Sequence, residues 1–278
     1  MKVPFFDKRI LCLFYRMLSG ISVLTSILFL FMGIDAKCKT AIGIVALAML
    51  VLSYVGIWLH SNKRQSITLK INTSEVEVKF GDIFEVQADL KAIDFNEYFD
   101  TLVDDDGNVI AKSTLNGEYI EKFHKDKVSE LDALISSDAH LAEASLGENA
   151  SRRIGKKTKY KLGTICVVND YLLIAFSRFD DYNKAYLEIN DYINCLLNFW
   201  DEIDRVYAGR TVALPVLGSG ITRFKRYDNI SDQELLELIV WTFKVSRIKL
   251  TYPSKVEIVV YKHKSERINL LALKDLEV

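Results

Sequence analysis

The sequence has little cysteine and no excess of charge of one sign. Its 278 residues carry a formal net charge of −1 and no block of Lys and Arg, so nothing indicates a nucleic-acid surface. No CxxC pair occurs, which disfavours a zinc site and a disulfide framework. The four histidines have no metal-ligand spacing, and we expect no bound metal. The four cysteines are Cys12, Cys38, Cys166 and Cys195.

Two long runs of the sequence lack charge. Residues 17–34 contain none, and residues 40–62 contain none apart from His60. Because about 20 apolar residues cross a hydrocarbon core of about 30 Å, both runs predict membrane-spanning helices. We expect spans at about residues 12–34 and 40–60, within a hairpin of residues 1–62. Two buried core helices are the alternative, whereas a cleaved signal peptide is disfavoured because no small-residue cleavage site follows the first run.

Basic residues flank the open ends of the predicted hairpin. They are Lys2, Lys8, Arg9 and Arg16 before the first span, and Lys63, Arg64 and Lys70 after the second. The connecting turn, residues 35–39, holds two lysines offset by Asp35. The positive-inside bias therefore predicts a two-span protein of the cell membrane, with both termini and residues 63–278 in the cytoplasm.

Residues 63–278 alternate between strand and helix patterns. SITLKIN and EVEVKFGDIF have the period of strands with one covered face. Later apolar runs alternate with helical patterns, one of them opened by a capping box at Ser231 and Glu234. This order predicts an α/β domain with a mixed, mainly parallel sheet between helical layers. We also expect a helix from near Ala185, a surface connection at residues 147–163 and a final helix over residues 264–276.

The segment LPVLGSGITRF, residues 214–224, follows a predicted strand directly. About ten residues separate its glycines from the next helix and no GK[ST] is present, which excludes a P-loop; GxGxxG is not matched either. Gly218, Ser219 and Gly220 allow backbone N–H groups to approach an anion, and Arg223 or Lys225 would add positive charge. By itself the pattern is also typical of a simple turn.

Three segments, taken in order, resemble the nucleotide-binding elements of macro domains. They are Gly81-Asp82-Ile83 at a strand end, a strand ending at Asn96, and the late glycine loop. The resemblance covers residues 66–278. It implies that Asp82 contacts an adenine amino group, that the loop after Asn96 lies near the distal ribose, and that the glycine loop holds the phosphates of ADP-ribose. The implied ligand-binding residues are Asp82, Ile83, Asn96, Asp100, Thr101, Gly117, Leu217, Gly218, Ser219, Gly220, Ile221, Thr222, Arg223 and Phe224, although Phe224 also fits a core position.

FNEYFDT followed by STLNGEYI, behind two predicted spans, is similar to the transmembrane–macro effectors of the Thoeris anti-phage system. This resemblance implies a TIR-domain partner that makes a histidine-linked ADP-ribose signal, a macro domain that binds it, and membrane segments that then damage the envelope. The Gly-rich run that follows the asparagine in ordinary macro domains is replaced here by EYFDT and a later LNGEY. Because of that departure, the resemblance decides neither the structure of the distal part of the pocket nor whether the protein has hydrolase activity.

Three functions are compatible with these patterns. The first is a sensor without catalytic activity that forms a homo-oligomer, disrupts the membrane and causes abortive infection. The second is a membrane-anchored ADP-ribosyl hydrolase that uses Asn96 or Asp100, although no base–nucleophile pair is evident. The third is a structural anchor whose macro fold binds no ligand.

Overall fold

The computed structural model describes residues 3–31, 36–104, 107–227 and 230–277. Its helices are α1 (Lys8–Phe31), α2 (Ala36–Lys63), α3 (Leu115–Phe123), α4 (Val128–Ser137), α5 (Ala139–Glu143), α6 (Ile189–Val206) and α7 (Asp232–Ser246), with two 3-10 helices at Lys262–Arg267 and Leu270–Leu276. Its strands are β1 (Ser66–Ile71), β2 (Ser74–Gly81), β3 (Leu90–Asn96), β4 (Val103–Asp104), β5 (Ile110–Ala111), β6 (Ser145–Glu148), β7 (Thr158–Tyr160), β8 (Ile165–Val168), β9 (Tyr171–Phe179), β10 (Ala185–Glu188), β11 (Val212–Pro215), β12 (Arg223–Lys225) and β13 (Val256–Tyr261).

The first two helices are long, apolar and almost entirely unburied. Lys8–Ile27 and Thr40–Lys63 are each long and apolar enough to cross a membrane. At a rise of about 1.5 Å per residue, the 24-residue second segment extends roughly 36 Å. The rings of Phe14 and Tyr54 join α1 to α2 edge to face, with centroids 5.3 Å apart. Part of the predicted turn, Asp35, lies outside the described residues, while residues 36–39 already form the first turn of α2.

A short segment before α1 ties the hairpin to the end of the chain. The Val3 N–H donates to Asn62 Oδ1 at the end of α2, at 2.9 Å. Val3 also packs with Leu271 of the second 3-10 helix. Arg9 Nη2 forms an ion pair with Asp275 Oδ2 at 2.7 Å. The two apolar helices are therefore joined to the α/β domain by contacts at both ends of the sequence.

The sheet of the α/β domain is mixed and mainly parallel, as predicted. Five neighbouring strands run parallel in the order β2-β13-β11-β3-β9. Strand β1 adds an antiparallel edge, and β8 and β10 pair antiparallel with β9. Because the five parallel strands point the same way, their carboxyl ends meet at one edge of the sheet.

Helices cover both faces of the sheet. One face packs against α6 and α7, where Trp200 and Phe243 are fully buried. The other face packs against α3 and α4, with Tyr119 and Leu131 in the core. Strands buried on both sides explain the continuous apolar runs in the sequence. The predicted capping box is present: the Glu234 N–H donates to Ser231 Oγ, and the Ser231 N–H donates to Glu234 Oε2.

Three local expectations were wrong. Residues 185–188 form β10, and the helix begins only at Ile189. The final segment forms two 3-10 helices, because Asn269 between them accepts hydrogen bonds from the Leu271 and Ala272 N–H groups and starts a new helix. The basic connection at residues 147–163 does not lie entirely on the surface, because Arg152 is buried and the strands β6 and β7 form a hairpin around it.

Candidate functional site

A cleft opens at the edge of the sheet where the five parallel strands end. It encloses about 240 Å³ and is lined by the ends of β2, β3, β9, β11 and β13, by the loop after β11 and by residues around the start of α3. Ligands of open α/β sheets bind at this edge. The predicted site residues that line the cleft are Asp82, Ile83, Asn96, Gly218, Ser219, Gly220, Ile221 and Thr222.

Asp82 occupies one end of the cleft, directly after β2. Its Oδ1 accepts a hydrogen bond from the Phe84 N–H at 2.8 Å, and its carbonyl accepts one from the Glu85 N–H at 3.1 Å. No described residue donates to Oδ2. The turn therefore uses one carboxylate oxygen and leaves the other free to accept a hydrogen bond from a ligand. Ile83 beside it is buried and lines the same cleft.

The glycine loop after β11 forms another wall of the cleft, and its shape requires glycine at Gly218. This residue has φ +82°, and a Cβ there would come within 3.0 Å of Phe224 Cζ. By contrast, a Cβ on Gly220 would meet nothing within 4 Å. In the part of the chain that the structure describes, the N–H groups of Gly220 and Ile221 form no hydrogen bond. The loop thus presents free backbone donors beside open space.

Asn96 and Asp100 belong to a buried polar network behind the cleft. Asn96 Nδ2 donates to Asp100 Oδ2 at 2.9 Å, and Asn96 Oδ1 accepts from the Tyr98 N–H at 2.9 Å. Asp100 forms a two-point ion pair with Arg152, at 2.5 and 3.1 Å, and also accepts from the Lys156 N–H at 2.7 Å. Both carboxylate oxygens of Asp100 are therefore occupied, and Asp100 does not line the cleft.

Two further predicted residues hold the structure near the cleft without lining it. Thr101 is buried, and its Oγ1 donates to Asp132 Oδ1 at 2.6 Å. Gly117 lies inside α3, where a Cβ would come within 2.3 Å of the Ala111 carbonyl oxygen. Gly117 therefore allows α3 to pack closely on the preceding turn, and its neighbours Asn116 and Glu118 line the cleft instead.

The remaining predicted residues surround the glycine loop from behind and outside. Leu217 is buried, and its carbonyl accepts from the Tyr192 hydroxyl at 3.0 Å. Phe224 packs edge to face on Tyr192, with centroids 5.4 Å apart, in the core position noted as its alternative. Arg223 is exposed and lies outside the cleft lining. A ligand role for these three residues stays a prediction.

Several lining residues were missed by the sequence reasoning. Asp94 lies within β3, Tyr261 ends β13, and Lys264 lies in the 3-10 helix that follows. Their position at the carboxyl end of parallel strands was a usable signal for Asp94 and Tyr261. Lys264 had a weaker signal, since it follows the end of β13 by three residues and no motif marks it.

Asp94 is a carboxyl group held in an apolar setting. Burial raises the pKa of Asp94 from its ordinary value of 3.8 to about 6. Hydrogen bonding to its own backbone opposes this shift, and no other described residue donates to the carboxylate. Near neutral pH the cleft therefore contains an unpaired carboxylate. Within the described ranges, no cluster of three or more His, Cys, Asp or Glu side chains suits a metal ion.

The sheet order and the position of the cleft define a macro-domain protein. A variant of the Oceanobacillus iheyensis macrodomain, solved with ADPR, superposes with a TM-score of 0.50 at 12% identity, covering 76% of this chain and 98% of that one. The family described as "Thoeris protein ThsA, Macro domain" matches residues 76–261. The Thoeris protein ThsA of Bacillus amyloliquefaciens (strain Y2) is 42% identical over 255 residues, and the match covers 89% of this chain and 82% of the relative. The chain belongs to the Thoeris ThsA family.

Proposed function

We propose that this protein is a membrane-anchored anti-phage effector whose macro domain senses an ADP-ribose-derived nucleotide. The observation that carries the proposal is the cleft itself, which combines a free Asp82 carboxylate oxygen with free N–H donors of the glycine loop. The carboxylate suits an exocyclic amine of a base, and the backbone donors suit a diphosphate. The solved structure of the Oceanobacillus iheyensis macrodomain with ADPR supports this ligand class.

The membrane part of the proposal follows from the two apolar helices. Both lack buried surface over most of their length, as lipid-facing helices do. The similarity to the Bacillus amyloliquefaciens relative covers more of the chain than the α/β domain alone, so it includes part of the hairpin. We place both termini and the α/β domain in the cytoplasm, because basic residues flank the open ends of the hairpin.

Contacts between the domain and the hairpin provide a route for signalling. The Asn269 N–H donates to Gln233 Oε1 of α7 at 2.9 Å. Asn269 Nδ2 also donates to Asp7 Oδ2, just before α1, at 3.4 Å. A shift of α7 therefore acts on the segment that enters the membrane. To move a resting population from 1:99 to 99:1, the ligand must favour the active state by about 5.5 kcal/mol.

The output that we propose is assembly into a homo-oligomer that disrupts the membrane and causes abortive infection. Two helices cannot enclose a pore, so disruption requires several copies. The resemblance to Thoeris effectors supports a TIR-domain protein as the source of the signal and histidine-linked ADP-ribose as its form. We propose that the protein is not an enzyme, since the Asp100 carboxylate is fully used by Arg152, Lys156 and Asn96 and is not free to act as a base.

The test is a calorimetric titration of the full chain in lipid nanodiscs. The ligands are histidine-linked ADP-ribose, ADP-ribose and cyclic ADP-ribose isomers, and the assembly state is followed by mass photometry. Asp82→Asn keeps an oxygen for the Phe84 N–H but places an amide NH2 opposite the base, so we expect affinity to fall about 10- to 100-fold. Asp204→Asn, on an exposed part of α6, is the matched control. Affinity for none of these ligands refutes the sensor function, and an Asp82→Asn variant that binds as the wild type does refutes the contact assigned to Asp82. Turnover of an ADP-ribosylated substrate favours the hydrolase.

A further inference from the structure

We infer that Lys264 binds the diphosphate of the ligand in this cleft and is its main cationic contact. The inference rests on the proposed function and adds a residue that neither the sequence motifs nor the glycine loop marks. Lys264 lies in the 3-10 helix Lys262–Arg267, directly after β13, and its side chain is 24% exposed. It lines the cleft together with the glycine loop.

The contacts of Lys264 hold its ammonium group at the glycine loop. Nζ donates to the Ser219 carbonyl oxygen and forms an ion pair with Asp232 Oδ1 at 3.0 Å. An ammonium group has three N–H donors, so these two bonds leave one donor for another acceptor. The ammonium is thus fixed by two partners, beside the free N–H groups of Gly220 and Ile221.

The charge of the cleft gives this one cation a large effect. Asp82, Asp94 and Glu118 line the cleft, whereas Lys264 is the only cation among the described lining residues. A diphosphate entering a cleft with three carboxyl groups is repelled unless a positive charge lies close to it. Lys264 supplies that charge at the wall where backbone donors are also free.

The basic residues proposed from the sequence do not take this role. Arg223 is exposed and does not line the cleft. Lys225 Nζ lies 3.4 Å from the centroid of the Tyr186 ring, also outside the cleft lining. Asp232 does not depend on Lys264 alone, since Arg267 Nη1 lies 3.6 Å from its Oδ2. Lys264 can therefore share its charge with a ligand while Asp232 keeps a second partner.

The experiment compares three probes on the full chain in lipid nanodiscs: ADP-ribose, inorganic pyrophosphate and adenosine. We expect Lys264→Gln to weaken the binding of ADP-ribose and of pyrophosphate about 10- to 100-fold and to leave the affinity for adenosine unchanged. The affinity of the variant for ADP-ribose should also depend less on salt than that of the wild type, because the charge pair between Lys264 and the diphosphate, which salt screens, has been removed. Lys264→Arg should restore part of the affinity, and Lys262→Gln, an exposed lysine of the same 3-10 helix, should change nothing.

The outcomes separate this inference from the proposed function. If Lys264→Gln binds ADP-ribose and pyrophosphate as tightly as the wild type does, the assignment is overturned and the sensor function stands. Equal loss of adenosine and ADP-ribose affinity, with an unchanged salt dependence, also overturns it, since Lys264 would then act only by holding the loop. Pyrophosphate binding that requires Lys264, together with no affinity for ADP-ribose or for the other ADP-ribose derivatives titrated above, supports the assignment and refutes the nucleotide sensor. If the wild type binds neither pyrophosphate nor ADP-ribose, the assignment is refuted, and the sensor function is refuted as well if the other derivatives also fail to bind.

Discussion

Replacing Asp94 by asparagine should stabilise the α/β domain at neutral pH. The pKa of Asp94 is raised from 3.8 to about 6 by burial, so folding holds this carboxyl in its neutral form more strongly than the unfolded chain does. Between about pH 4 and pH 6 the unfolded state loses its proton first, and stability falls as the pH rises through this range. Above about pH 6 the folded state carries the full free-energy cost of the ionised, buried Asp94 carboxylate. Raising the pKa of a carboxyl from 3.8 to about 6 corresponds to about 3 kcal/mol of lost stability, and asparagine removes this cost at nearly the same side-chain volume.

The measurement is urea unfolding of the full chain in nanodiscs from pH 4.5 to 7.5, followed by tryptophan fluorescence because Trp200 is buried in the core. We expect Asp94→Asn to exceed the wild type by up to about 3 kcal/mol at pH 7, or roughly 6–12 °C in Tm for a domain of this size. The difference should shrink below about pH 6 and vanish near pH 4. Asp204→Asn should follow the wild type throughout. Parallel pH profiles for wild type and Asp94→Asn would show that folding does not raise the pKa of Asp94.

Other substitutions test the remaining parts of the site. Gly218→Ala should destabilise the domain by about 1–3 kcal/mol, because Gly218 has a positive φ and lies close to the Phe224 ring. Gly220→Ala should leave thermal stability unchanged, since a Cβ there meets nothing within 4 Å. Similar unfolding temperatures for the two variants would contradict the loop geometry. Asp100→Ala should cost about 3–5 kcal/mol, since it leaves the Arg152 charge buried without its partner, and denaturant unfolding measures this loss. Burial raises the pKa of the Cys166 thiol to about 12, so iodoacetamide at pH 8 should not modify it in the folded protein, as peptide mass spectrometry can check.

Local sequence patterns predicted most of the fold. The apolar runs of the hairpin, the alternation of strands and helices and the capping box at Ser231 each depend on residues close together in the chain. Such patterns also indicated where a ligand would bind, because Asp82 and the glycine loop both follow strands that are parallel in the sheet. Helix type at the end of the chain was not predictable in this way, since Asn269 divides a continuous helical pattern into two 3-10 helices.

Only the tertiary structure decided which polar residues face the cleft. Asp100 follows a strand end as a ligand residue would, but Arg152, 52 positions away, occupies its carboxylate and buries it. Lys264 has no local motif, yet it reaches the glycine loop 45 positions earlier in the chain. The physical reason is that burial and ion pairing depend on which distant segments the sheet brings together. The sequence by itself determined two apolar helices, an α/β domain and the edge where a ligand would bind, and the folded chain determined the charges that the ligand meets there.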